Sequence, residues 1–156
     1  MKIMFYILVG LVAIVSLYFI GLSISSRKQP DLGLIEGQLR ACPASPNCVC
    51  SERQDEVAFV EPLMTTTMGD SAWDNAKKAI VESGGVIVTD QAGYLHAQFM
   101  TSIVRYIDDV ELRMDDDNQV IHIRSASRVG YSDMGANRMR VEKIRMVFLK
   151  NIKSDK

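Results

Sequence analysis

The sequence predicts an α+β protein: an antiparallel sheet of about four strands packed against two helices, preceded by one N-terminal transmembrane helix. Three observations carry this. Residues 3–24 are apolar and free of charge. Short alternating segments between 86 and 127 are joined by turns too brief for crossover helices. Apolar side chains recur at helical spacing on either side of them, over 70–83 and 137–152.

The apolar run from Ile3 to Ile24 has 22 residues, fourteen of them Leu, Ile, Val or Phe. At helical rise it reaches roughly 33 Å, enough to span a hydrocarbon core. The apolar part of a signal peptide is shorter, and Ser23 and Ser25 make a poor cleavage site, so residues 1–24 read as an uncleaved anchor. Lys2 on one side and Arg27 with Lys28 on the other do not orient it by charge alone. Residues 25–38, with Pro30, Gly33 and Gly37, read as a tether, which leaves 39–152 for a single domain. With 18 basic and 19 acidic residues, no global field draws the chain to nucleic acid, and any electrostatic function is local.

Cys42 and Cys48 bracket C-P-A-S-P-N-C, whose prolines favour a turn that brings the thiols together. A disulfide there contributes about 2.4 kcal/mol in the chain-entropy model and places the domain in an oxidising compartment, on the periplasmic face of the cell membrane. The spacing of Cys42, Cys48 and Cys50 matches no zinc knuckle, so neither a metal site with His96 or His122 nor a catalytic thiol is favoured. Cys50 reads as a small buried hydrophobe.

Asp70 to Ser83 reads as a helix with Asp70 as its cap, Trp73, Ala76 and Ile80 on its core face, Ala72 and Ala79 beside them, and Gly84-Gly85 as its stop. Strands follow at 86–89 and 95–101, with Leu95, Ala97 and Phe99 inward and His96 on the opposite, solvated face. If 115–118 is a four-residue hairpin loop, Met114 faces Gln119, Leu112 faces Ile121, Val110 faces Ile123, Asp108 faces Ser125 and Tyr106 faces Ser127. The other face then pairs Asp109 with Arg124 and Glu111 with His122, as structural ion pairs.

Arg124 to Arg140, R-S-A-S-R-V-G-Y-S-D-M-G-A-N-R-M-R, passes from strand end through a glycine turn into a helix. Asp133 sits where an N-cap belongs, and Asn137, Val141, Ile144, Phe148 and Ile152 form one stripe. Asn137 heads that stripe and points toward the sheet end carrying Asp108, Ser125 and Ser127. Arg138 and Arg140 lie close by but cannot both face inward, and Arg138 with Glu142 has the spacing of a surface pair.

The segments C-P-A-S-P-N-C-V, D-D-V-E-L and R-S-A-S-R-V-G-Y-S-D-M-G-A-N-R-M-R-V-E resemble the domain-of-unknown-function family fourteen ninety-nine, over roughly Leu39 to Leu149. The resemblance implies exported or membrane-tethered bacterial and plastid proteins with no established activity. It maps the family's cysteine pair onto Cys42 and Cys48, its acidic motif onto Asp108, Asp109 and Glu111, and its Arg/Ser-rich motif onto Arg124 to Arg140. Cys50 stands where the family pattern leads one to expect Ser.

These residues favour a membrane-anchored binding module without a cofactor. Asp108, Ser125, Ser127, Arg128, Tyr131, Asn137 and Arg138 would receive a polar or anionic group, such as a lipid head group or a partner protein's carboxylate. The rival is a hydrolase or transferase using Asp108 as base with Ser125, Ser127 or Tyr131. Against it, G-x-S-x-G, H-E-x-x-H and phosphate-binding glycine motifs are missing from the sequence. A third reading makes the same residues a purely structural network joining strand to helix.

Overall fold

The computed structural model describes residues 1–52, 57–65 and 69–154. In chain order these form α1 (Lys2–Ser25), β1 (Leu34–Ile35), β2 (Gln38–Leu39), β3 (Cys48–Cys50), β4 (Leu63–Met64), α2 (Asp70–Glu82), β5 (Val86–Gln91), β6 (Tyr94–Met100), β7 (Ile107–Asp115), β8 (Val120–Ser127) and α3 (Ala136–Ser154). The α+β class is as expected, but the main sheet has six strands rather than about four. Its order is β3-β8-β7-β6-β5, with β4 also pairing β8, and every named strand pair is antiparallel. The two additional strands are two and three residues long, too short for alternation to betray them.

One face of the sheet carries α2 and α3. Trp73, Ala76, Ile80, Ala72 and Ala79 of α2 are all buried, as are Asn137, Val141, Ile144 and Phe148 of α3. They meet Leu95, Ala97, Phe99, Val110, Leu112, Ile121 and Ile123 in one core, with Ile152 packed at its edge. Asp70 is not the cap of α2 but its first helical residue. Gly69 takes the cap position at φ 92°, and no side chain caps it. Lys143 of α3 donates to the Ser83 carbonyl at 2.9 Å, placing a cation at the carboxyl end of α2 and locking the two helices together.

The β7–β8 hairpin keeps its expected faces but not its expected partners. The loop is 116–119, so Met114 faces Ile121, Leu112 faces Ile123, Val110 faces Ser125 and Asp108 faces Ser127. On the other face Glu111 lies opposite Arg124 and Arg113 opposite His122, replacing the expected Asp109–Arg124 and Glu111–His122 pairs. Turn chemistry decides this: Asp115 accepts from the Asn118 backbone N–H at 3.1 Å and from its side-chain amide at 3.2 Å, and Gln119 closes the loop at φ 55°. Moving the loop by one residue shifts partners by two, which leaves the pleat alternation intact.

The second face is covered as well, by the chain that follows α1. Ser26 is fully buried, its Oγ accepting from the Ile107 N–H at 3.2 Å. The β1–β2 hairpin turns through Glu36 and Gly37, both at positive φ, in the manner of a primed two-residue turn. Gly33 donates to the Glu111 carboxylate at 2.9 Å, and Leu39 packs with Cys50 and Tyr94. The stretch read as a tether therefore lies against the sheet. This cover also overturns the solvated reading of His96, which is buried at 1% exposure.

Gly85, just after α2, has no room for a side chain: a Cβ there would lie 2.7 Å from two Phe99 ring carbons and 2.9 Å from an Ile80 methyl. Gly85→Ala should destabilise the fold by about 1 to 3 kcal/mol through overpacking, read as a lowered urea midpoint for the chain in detergent.

Candidate functional site

The Arg/Ser-rich segment meets β7 on both sides of the sheet. On the helix side, Asp133 prepares the start of α3, accepting from the Asn137 N–H at 2.7 Å and the Gly135 N–H at 3.0 Å. Asn137 is thereby fixed and fully buried. Its Oδ1 accepts from Ser125 Oγ at 2.6 Å, and its Nδ2 donates to the Asn47 carbonyl at 2.9 Å and to Ser127 Oγ at 3.0 Å. Arg140 reaches inward to Asp108, Asn137 and Ser125, with its guanidinium over the Phe99 ring at 5.2 Å. Burial pushes the Asp108 carboxyl above its ordinary range, only partly offset by the Arg140 charge and the Ser127 hydroxyl.

On the opposite side, Arg128 grips Asp109 with two nitrogens, Nε at 2.7 Å and Nη2 at 2.6 Å, while His96 Nε2 lies 2.7 Å from the same carboxylate. Burial pushes the Asp109 carboxyl up, but bonds and charge from Arg128 and His96 outweigh it and leave it below the carboxylate range. Arg128 also donates to the Ser26 carbonyl at 3.0 Å. Glu111 accepts from Arg124 at 2.8 Å and from the Tyr94 hydroxyl at 2.8 Å. Burial, then the Glu111 charge, drive the Tyr94 phenol upward. Further along, Arg113 bridges Glu52 and Asp115.

The expected binding residues thus divide. Asp108, Ser125, Ser127 and Asn137 come together, whereas Arg128 lies across the sheet from them, committed to Asp109. Tyr131 stands exposed at 76%. Arg138 faces away from Arg140 and donates to the Val57 carbonyl at 3.0 Å; its expected neighbour Glu142 pairs with Arg145 instead. Sequence reasoning did not single out Asn47, whose side chain donates to the Gly130 carbonyl at 2.6 Å and which ties the cysteine loop to the α3 corner. Its place inside C-P-A-S-P-N-C was the available signal.

Cys42 and Cys48 form a disulfide with their Cα atoms 5.5 Å apart. The loop they close forms one wall of a groove of about 460 Å³, whose other wall is Ser132, Asp133, Gly135 and Arg138 at the start of α3. A smaller cavity of about 270 Å³ lies over Asp109, Arg124 and Arg128. Chemically the first is an open, partly polar groove with a guanidinium on its rim. The helix-side network is a closed set of hydrogen bonds in which Asp108 is held by Arg140 and touches the Ser127 hydroxyl.

Among known proteins, the profile of the family described as "Protein of unknown function (DUF1499)" matches residues 38–148. No curated protein matches the chain.

Two outcomes follow from this geometry. Arg140→Ala strands the Asp108 carboxyl in the interior and should cost about 3 to 5 kcal/mol, part of it recovered when Asp108→Asn is added, in denaturant titrations. Asp115 is held at about 2, below the ordinary 3.8: burial opposes this, but Arg113 and Asn118 prevail. A depressed folded-state pKa stabilises fully above the ordinary value and ceases to do so as pH falls through the folded one. The melting-temperature gap between the wild type and Asp115→Asn should therefore be present at neutral pH and close between about pH 4 and pH 2.

Proposed function

Because the chain belongs to the DUF1499 family of proteins of unknown function, we propose a role from the site itself: a membrane-anchored, extracytoplasmic binding module for a polar or anionic ligand. The single observation that carries this is a count of charges. The segment 124–140 holds four arginines, and three of them are spent on buried carboxylates: Arg124 on Glu111, Arg128 on Asp109 and Arg140 on Asp108. Among the described residues Arg138 meets no carboxylate, and it stands on the rim of the groove beside the disulfide loop. A head-group phosphate or a partner's carboxylate finds there a guanidinium with donors to spare and the Ser45 and Ser132 side chains close by. Of the two arginines expected to receive the anion, Arg128 is committed to Asp109 and Arg138 keeps the role.

The helix Lys2–Ser25 is long and apolar enough to cross a membrane, and the disulfide supports an oxidising compartment for the domain. The closed pairs favour a second reading, in which the whole segment serves only to hold strand to helix. Asp108 with Ser127 gives a hydrolase or transferase less support, because Asp108 is buried and lines neither the groove nor the smaller cavity.

Native mass spectrometry of the full chain, extracted from its host's envelope in mild detergent, tests this. The expected result is a reproducible added mass that Arg138→Ala loses while its melting temperature stays within about 2 °C of wild type, as for a surface substitution. Bare polypeptide from the wild type would move the weight to the structural reading.

A further inference from the structure

The β6–β7 turn, residues 101–106, carries Ile103 at 92% exposure on a well-closed frame. Thr101 N–H donates to the Tyr106 carbonyl at 2.9 Å, and Tyr106 N–H donates to Thr101 Oγ1 at 2.8 Å. Its exposure is thus a presented side chain on a fixed turn. The turn lies beside the end of α1, because Ile107, the first residue of β7, is bonded to Ser26 directly after the helix. Between them runs a groove of about 370 Å³ lined by Phe19, Ile20 and Ile24 on the helix, Ile103 and Val104 on the turn, and Arg27 and Arg105. Phe19 to Ile24 are the last residues of the charge-free run, so the groove they line with Ile103 and Val104 lies within about 8 Å of helix rise from that end. Arg27 and Arg105 are exposed, and among the described residues their guanidinium groups meet no carboxylate. Two exposed or half-buried apolar side chains beside two arginines is the composition that an interfacial segment presents to a phospholipid.

We propose that this turn is a second membrane contact: Ile103 and Val104 enter the acyl region beside the last two turns of α1, and Arg27 and Arg105 hold the phosphate of a bilayer phospholipid seated in the groove. The occupant is lipid because one wall of the groove is the anchor helix itself. With Ser26 clamped between Arg128 and Ile107, the domain then rests directly on the bilayer at two points and holds one orientation to it.

The proposal rests on α1 spanning the membrane, and the test separates the two. The full chain is reconstituted in phosphatidylcholine vesicles with a nitroxide at Ile103→Cys, Val12→Cys (mid-α1) or Val86→Cys (exposed on β5); Cys50 is buried and Cys42 and Cys48 are bonded to each other. Collision with dissolved oxygen and with a water-soluble nickel chelate reports depth. The expected result is a position 103 label shielded from nickel and open to oxygen, like that at 12 and unlike that at 86. In Arg27→Gln/Arg105→Gln, nickel access at 103 should rise at least twofold. A label at 103 behaving like 86 while 12 stays shielded would overturn the turn's insertion alone. Nickel access at 12 would overturn the anchor and the insertion with it. No change at 103 in the double variant would overturn the phosphate contact.

Discussion

Three carboxylates on one strand cannot stay charged in a sheet covered on both faces unless each is given a cation. Asp108, Asp109 and Glu111 lie within four residues of β7, and pleat alternation sends Asp108 to the helix side and the other two to the opposite side. Uncompensated burial of any of them would cost several kcal/mol. The chain answers with Arg140, Arg128 and Arg124, all delivered by the single segment that leaves β8 and enters α3. The acidic motif and the arginine motif are complementary halves of one arrangement. It ties the start of α3 to the sheet and seats the chain leaving α1 on it.

That seat changes what the N-terminal segment does. Arg128, while paired with Asp109, also takes the Ser26 carbonyl, and Glu111 takes Gly33. The same ion pairs that satisfy the sheet therefore hold the end of the apolar helix against it. A flexible spacer would let the domain turn freely about the end of α1; the clamped one fixes the sheet relative to that end.

Much of this was legible in the sequence, for reasons tied to particular residues. The 3.6 periodicity of Trp73–Ala76–Ile80 and Val141–Ile144–Phe148 placed both helices on their core faces, and the alternation of Leu95, Ala97 and Phe99 placed the inner face of the sheet. Alternation alone pairs Asp109 with Arg124, because the loop position rests on the Asp115–Asn118 hydrogen bonds, which hydrophobic alternation does not sense. Alternation alone leaves His96 on a solvated face, because nothing local in residues 26–52 announces that they return to cover the sheet; that is a long-range contact. The division of labour among the arginines was invisible for the same reason: Arg138 and Arg140 differ by two residues, and only the packed helix shows that Arg140 turns in and Arg138 out.

The most direct measurement is a double-mutant cycle on Asp109 and Arg128, using Asp109→Asn, Arg128→Gln and the pair, with unfolding free energies of the full chain in detergent. If the buried pair organises the structure as described, the two substitutions are strongly non-additive, with a coupling of about 1 to 3 kcal/mol. Additivity to within about 0.5 kcal/mol would mean that the pair contributes nothing as a pair, and the arrangement of the fold around it would have to be abandoned.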